Sequence, residues 1–215
     1  MAEEDRPKLH YFPYYGRAEA IRIALRYLEI PYEEEVMFSQ KWPAKKCSGD
    51  YEFSQLPMLE LDGLKLVQSC SILRYLCQTH NAYGSSAADG HRIEEIVELL
   101  GEVQEQTLPL LMEGKLAETK AWYEAKMPKL YFPMLEGLLA ANPAGQGKYF
   151  VGAQASMADF AMFEFGFDAF QRPQMDELGA KFAEIAPKFF AFLKSFREER
   201  ESLRVYMSEP KDKPF

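Results

Sequence analysis

The chain has 215 residues, 47% of them hydrophobic and 27% charged, which suits one large globular domain or two smaller ones packed together. Its net charge is −8, from 25 basic and 33 acidic residues, so there is no electrostatic reason to expect nucleic acid or an anionic membrane as a partner. No apolar run approaches the roughly 18 residues of a membrane span, and the acidic opening Met1 to Arg6 lacks the basic-then-apolar order of a secretory signal. Three cysteines (Cys47, Cys70 and Cys77) and three scattered histidines show no metal-ligand spacing. That pattern implies a reducing, cytoplasmic setting and no metal.

Lys8 to Phe12 reads as a short strand, followed by a turn over Pro13 to Gly16. Arg17 to Glu29 reads as a helix, with Ile21, Ala24, Leu25 and Leu28 on one face. Pro31 ends it, and Tyr32 to Phe38 returns as a strand, completing a βαβ unit whose strands should run parallel. Gln40 to Phe53 is polar and reads as irregular. Pro57 to Leu61 and Leu64 to Val67 are apolar runs joined by Asp62-Gly63, a tight hairpin signal. Ser69 to Asn81 is then helical, with Ser69 as its cap. The order β-α-β, β-β-α is that of a thioredoxin-like domain.

Residues 84–90 are small and polar and read as a linker between a first domain, 1–83, and a second, 91–215. No strand signal follows. Ile93, Ile96, Val97, Leu100 and Val103 form a helical stripe, and further helices are expected around 116–141, 156–170 and 176–206. Ser156 and Asp159 fit a capping box at the start of one of them. The fold class is therefore α/β plus all-α.

Four blocks carry a closer likeness. Lys8 to Glu19, Gln55 to Gly63, Leu66 to Leu76, and Val151-Gly152 with Ser156 to Asp159 run in order over nearly the whole chain. Together they resemble the cytosolic glutathione transferases that use a tyrosine, the alpha, mu, pi and sigma classes, with a lean to sigma or alpha. The resemblance implies glutathione as co-substrate, an apolar electrophile as second substrate, and Tyr11 as the group that activates the glutathione thiol.

That assignment suits the chemistry. A thiol of pKa about 8.5 is only a few per cent ionised at neutral pH, and the thiolate is the nucleophile. One hydroxyl donated to a charged sulfur is worth about 1.5–3 kcal/mol, or one to two pKa units. Tyr14 and Tyr15 are competing hydroxyls; the resemblance selects Tyr11. Arg17 is the second catalytic candidate, its charge favouring an anion nearby. Tyr15 stands where the family often has an arginine, which leaves Arg17 as the sole arginine of the turn.

The same likeness implies a glutathione site. Leu56, beside a cis Pro57, would pair its main chain with the extended tripeptide. Gln68 and Ser69, at a helix start, suit the γ-glutamyl carboxylate. Trp42 and Lys46 resemble the pair that meets the glycine carboxylate, and Gln55 adds a polar contact. Glu102 resembles an acid that reaches across a homodimer to the γ-glutamyl amine, and Phe53 an aromatic key inserted into the partner subunit. Tyr14, Tyr15, Gln104, Leu108 and Leu111 are candidates for lining the apolar pocket, with the tail Ser208 to Phe215 as a cover. Two functions could share this scaffold: a glutathione-dependent isomerase of the prostaglandin D synthase kind, and a non-enzymatic, crystallin-like binding protein. A thiol–disulfide oxidoreductase is excluded by a turn without cysteine.

Overall fold

The computed structural model describes residues 6–208. A four-stranded sheet leads the chain, in the order β2-β1-β3-β4. Strand β1 (Lys8–Tyr11) feeds helix α1 (Glu19–Tyr27), which returns to β2 (Glu33–Val36) in parallel register, Lys8 opposite Glu33. Strands β3 (Met58–Leu61) and β4 (Leu64–Val67) form the expected hairpin, with Asp62 and Gly63 both at positive φ, 52° and 76°. That geometry matches the right-handed twist of the strands and is the reason Asp-Gly favours it. The edge strand β2 is exposed throughout and carries Glu33, Glu34 and Glu35, charges that discourage pairing with another chain's strand.

Helix α3 (Ser69–Thr79) follows β4. It packs with α1 against the sheet over Leu9, Ile21, Leu25, Leu59, Ile72 and Leu76. The remainder is helical among the described residues: α4 (Ala87–Met112), α5 (Leu116–Lys126), α6 (Phe132–Ala141), α7 (Met157–Phe170), α8 (Asp176–Ile185), α9 (Pro187–Glu198) and α10 (Glu201–Ser208). This is the thioredoxin-like half followed by an all-helical half. Helix α7 is buried on nearly every side, so its sequence is apolar all round instead of striped. Ile23, Ala24 and Tyr27 of α1 belong to the core built around α7. One helix thus serves both halves: the sheet on one face, the helical core on the other.

The capping box at Ser156 and Asp159 is formed. Other local details differ from the sequence reading. The stretch read as irregular contains a short helix, α2 (Trp42–Lys46), with Pro43 in its first turn, and a 3-10 turn over Glu52–Ser54. Ser69 is the first residue of α3 and not its cap; Gln68 holds that position with φ 68°, and no side chain caps the end. Helix α4 starts at Ala87, because Ser86 accepts the Asp89 N–H, so residues 87–90 are helical and not linker. Pro128 and Pro133 interrupt the 116–141 region with a π-turn over Met127–Tyr131. The expected cover, 208–215, lies outside the described residues after Ser208. No helix among the described residues is long and apolar enough to cross a membrane.

Candidate functional site

Tyr11 ends β1, and its Oη lies at the next turn, where it accepts the Arg17 backbone N–H at 3.1 Å. Gly16 makes that approach possible. Its φ is +42°, and a Cβ there would sit 2.8 Å from Tyr11 Oη. Burial pushes the Tyr11 hydroxyl up; the Arg17 N–H and the charges of Arg22 and Arg17 pull it back. It therefore remains a phenol at neutral pH, with its own proton free to donate. The Arg17 side chain itself is exposed.

Arg22 is the residue that the sequence did not reveal. Its side chain is fully buried, and its guanidinium lies 5.7 Å from the centre of the Tyr11 ring. It donates to Glu34 at 2.9 Å, to the Tyr14 and Tyr15 carbonyls at 2.9 and 3.2 Å, and to buried Glu19 at 3.1 Å. Tyr206 of α10 donates to the same Glu19 at 2.9 Å. Arg17 is thus not the only positive group beside the turn. The i, i+3 pair Glu19 and Arg22, on a helix face otherwise made of Ile and Ala, was the available signal.

Several candidates for the peptide-like ligand gather at one end of the sheet, after β2 and β4 and before β3. Leu56–Pro57 is cis, and the strand pairing of β3 begins at Met58, just beyond Leu56. Gln68 Nε2 donates to Gln55 Oε1 at 3.1 Å, which joins two of them directly. Trp42 is half-buried, edge-on to Phe12 and Tyr51 at 5.8 and 5.3 Å, while Lys46 in the same short helix is exposed. Glu102 is exposed on α4. Phe53 is 64% exposed at φ 57°.

Next to this end of the sheet lies a cavity between the two halves. Gly16, Arg17, Ser69 and Cys70 form its near side, and α4 and α7 its far walls. Gln104, Leu108 and Leu111 line it; Tyr14 and Tyr15 do not. Tyr15 is 3% exposed, because the Arg172 guanidinium 4.0 Å above its ring and Phe167 enclose it. The walls are apolar, with Leu73, Leu100 and Phe165 among them. Polar members of these walls include Gln104, Thr107, Glu164 and Asp168. Gln104 Nε2 donates to Glu164 Oε2 at 3.4 Å. Burial pushes the Glu164 carboxyl well above the usual carboxylate range, helped by the charge of Asp168, which burial holds at about 6. Among the described residues no cluster of three or more His, Cys, Asp or Glu could hold a metal ion.

Comparison with known proteins agrees with this architecture. The family model for the glutathione S-transferase N-terminal domain matches residues 7–78, and that for the C-terminal domain residues 102–210. Human glutathione S-transferase A3 is 35% identical over 162 residues, 74% of this chain and 72% of that protein. Rat glutathione S-transferase alpha-5 is 33% identical over 162 residues, 74% and 72% of the two chains. The pi-class glutathione S-transferase of Onchocerca volvulus superposes with a TM-score of 0.75 at 25% identity, covering 94% of this chain and 91% of its own. The Ascaris lumbricoides glutathione S-transferase, at 22% identity and TM-score 0.77 over 98% and 100%, shares the fold. These relatives are all named as transferases, which favours neither the isomerase nor the crystallin-like alternative. Matched in both halves of the chain, in order, the chain belongs to the glutathione S-transferase family.

Proposed function

We propose that this protein joins the thiolate of glutathione to apolar electrophiles, with the Tyr11 hydroxyl holding the sulfur. One observation carries the reading: Tyr11 Oη is fixed by the Arg17 N–H at the turn that forms the mouth of an apolar cavity. Residues 1–83 bind glutathione and the helical half from α4 onward supplies the apolar site, with 84–86 between them. Leu56 offers main-chain groups to the tripeptide, Gln55, Gln68 and Ser69 its γ-glutamyl end, and Trp42 and Lys46 its glycine carboxylate.

Tyr11 works as a donor and not as a base, since burial raises its pKa and a phenol that keeps its proton can only donate to the anion. The hydrogen bond is the largest contribution, about 1.5–3 kcal/mol, enough to bring a thiol from about 8.5 to near 7. The Arg22 charge adds less, because buried Glu19 and Glu34 on the exposed strand β2 pair with it. Tyr11→Phe should fold normally and cut chlorodinitrobenzene conjugation by about 10- to 1000-fold. Its rate should continue to rise with pH beyond the wild-type plateau. An unchanged rate and pH profile would remove Tyr11 from the mechanism.

Two copies of the chain pair with two-fold symmetry. Phe53 is a large aromatic with most of its surface exposed. A groove between α4 and α6, bordered by Ile96, Leu99, Pro133, Met134 and Leu138, is the kind of seat that such a side chain of the partner subunit fits. Glu102, exposed on the same α4, would then reach the γ-glutamyl amine of the site across the interface. The cytosol suits three free cysteines, two of them exposed.

A further inference from the structure

Successive side chains of a strand point to opposite faces of its sheet. On β1, Leu9 and Tyr11 face α1 and α3. His10, between them, turns to the other face, beside the cluster of Met37, Tyr51 and Met58 on which Phe12 and Trp42 pack. An imidazole only 7% exposed in such surroundings needs a partner for each nitrogen. It has both: Nδ1 lies 3.1 Å from Tyr51 Oη, and Nε2 lies 3.2 Å from Glu60 Oε1 on β3. Burial lowers the His10 pKa against the raising charges of Glu60 and Glu35, with Lys8 on the side of burial. The ring is therefore neutral at pH 7 and carries one N–H. The Glu60 carboxylate takes that hydrogen at Nε2, which leaves Nδ1 to accept from the Tyr51 hydroxyl.

Tyr51 is 6% exposed, so any effect it has on a ligand passes through a neighbour. That neighbour is Trp42. The two rings meet edge to face, 5.3 Å apart at 80°, and Phe12 stands edge-on to Trp42 at 5.8 Å. None of the five residues of α2 is buried. The helix is tied at its start, where the Trp42 N–H donates to the Phe38 carbonyl at 3.1 Å, and the Trp42 ring leans it on the sheet. That contact orients Trp42 only while the Tyr51 ring keeps its place, and the bond to His10 keeps it there.

We infer that His10 and Tyr51 are positioning residues for the glycine end of glutathione: His10 fixes the Tyr51 hydroxyl, and the Tyr51 ring fixes the edge of Trp42. The inference rests on the reading of Trp42 and Lys46 as the pair that meets the glycine carboxylate. Adjacent residues of one strand then serve the two ends of the reaction partner. Tyr11, on one face of the sheet, holds the sulfur, and His10, on the other, sets the ring that receives the third residue of the tripeptide. Neither His10 nor Tyr51 touches the ligand, so the effect belongs to affinity for the glycine end and not to the chemical step.

Calorimetry with glutathione and with γ-glutamylcysteine, which lacks the glycine, separates the two ends of the ligand. Wild type should bind glutathione more tightly. Tyr51→Phe keeps the ring and removes the hydrogen bond. It should weaken glutathione by about 3- to 10-fold and leave γ-glutamylcysteine where it was, while kcat at saturating glutathione stays within about twofold of wild type. In a Trp42→Ala background the same change should make no further difference to glutathione. Equal weakening of both ligands, or of neither, overturns the inference, and so does an undiminished effect without Trp42. If Tyr51→Phe does not fold, His10 decides. His10→Asn, whose side-chain oxygen can accept from Tyr51 in place of Nδ1, should keep the wild-type ratio of the two affinities, and His10→Leu should lose it; the same ratio in both overturns the inference. A wild type that binds the two ligands equally would instead sink the glycine-carboxylate reading of Trp42 and Lys46.

Discussion

Removing the Asp159 carboxylate tests how much of the helical half hangs on one side chain. Asp159 is fully buried. Its Oδ1 accepts the Phe150 N–H at 2.8 Å, and its Oδ2 accepts both the N–H and the hydroxyl of Ser156, each at 2.8 Å. A simple helix cap is worth about 0.5–2 kcal/mol, which is all that the capping-box pattern in the sequence implies. The Phe150 bond changes that magnitude. Asp159→Ala strands two backbone N–H groups at positions 3% and 2% exposed, each costing about 1–3 kcal/mol. The expected loss is therefore about 3–5 kcal/mol, a large part of the roughly 5–15 kcal/mol that holds a domain folded. Urea unfolding of wild type, Asp159→Ala and Asp159→Asn, with and without saturating glutathione, measures it. Asn should fall between wild type and Ala, because its Oδ1 can still accept one backbone N–H while its amide turns hydrogens toward the other. A loss under about 1 kcal/mol would mean that Asp159 is only a cap. A fall in glutathione affinity at unchanged midpoint would mean that it acts on the site.

Three further outcomes are expected. Burial raises Asp159 from 3.8 to about 7, so the folded state binds that proton more tightly than the unfolded one. Its contribution is then greatest below pH 4 and declines as pH climbs toward 7. Urea titrations at pH 5 and pH 8 should show a decline in wild type that is smaller in Asp159→Asn; equal declines refute this. Phe53→Ala should shift sedimentation toward monomer and weaken glutathione binding in calorimetry, and a tight dimer would remove the key. Arg22→Met should cost about 3–5 kcal/mol, as loss of one partner of a buried ion pair does. The double variant with Glu19→Gln should cost less than the two single changes summed; simple additivity would show that the pair is not coupled.

The sequence yields the elements wherever periodicity and turn chemistry agree. Asp62-Gly63 encodes its hairpin, and Ile21, Ala24 and Leu25 mark the buried face of α1 because a 3.6-residue repeat leaves little alternative. It fails where the backbone makes a local exception. Gln68 adopts φ 68°, which moves the helix start by one residue and deprives Ser69 of the cap. Tyr15 reads as a pocket residue by its chemistry, yet Arg172, far along the chain, encloses it from above. The role of Arg22 needed Glu34 and Tyr206 brought close, and neither spacing carries a local signal. Gln104, Leu108 and Leu111 reach the cavity because one helix face delivers them together. Glu164 gives no such signal, because α7 carries three acids, Asp159, Glu164 and Asp168, in a helix buried on nearly every side.

The position of Tyr11 Oη depends on more than its own strand. The turn from Pro13 to Gly16 carries no regular hydrogen-bonded ladder, and the Arg17 N–H must still arrive at a fixed point. Arg22 supplies that rigidity by holding the Tyr14 and Tyr15 carbonyls from inside, where water would otherwise compete. Glu19 keeps the Arg22 charge tolerable, and Tyr206 holds Glu19 from α10. Tyr206 thus bears on the turn that holds Tyr11 Oη. The local field and the local geometry share the same buried cation. Weakening it to gain stability, by replacing the ion pair with well-packed apolar side chains, should therefore cost turnover even where folding improves.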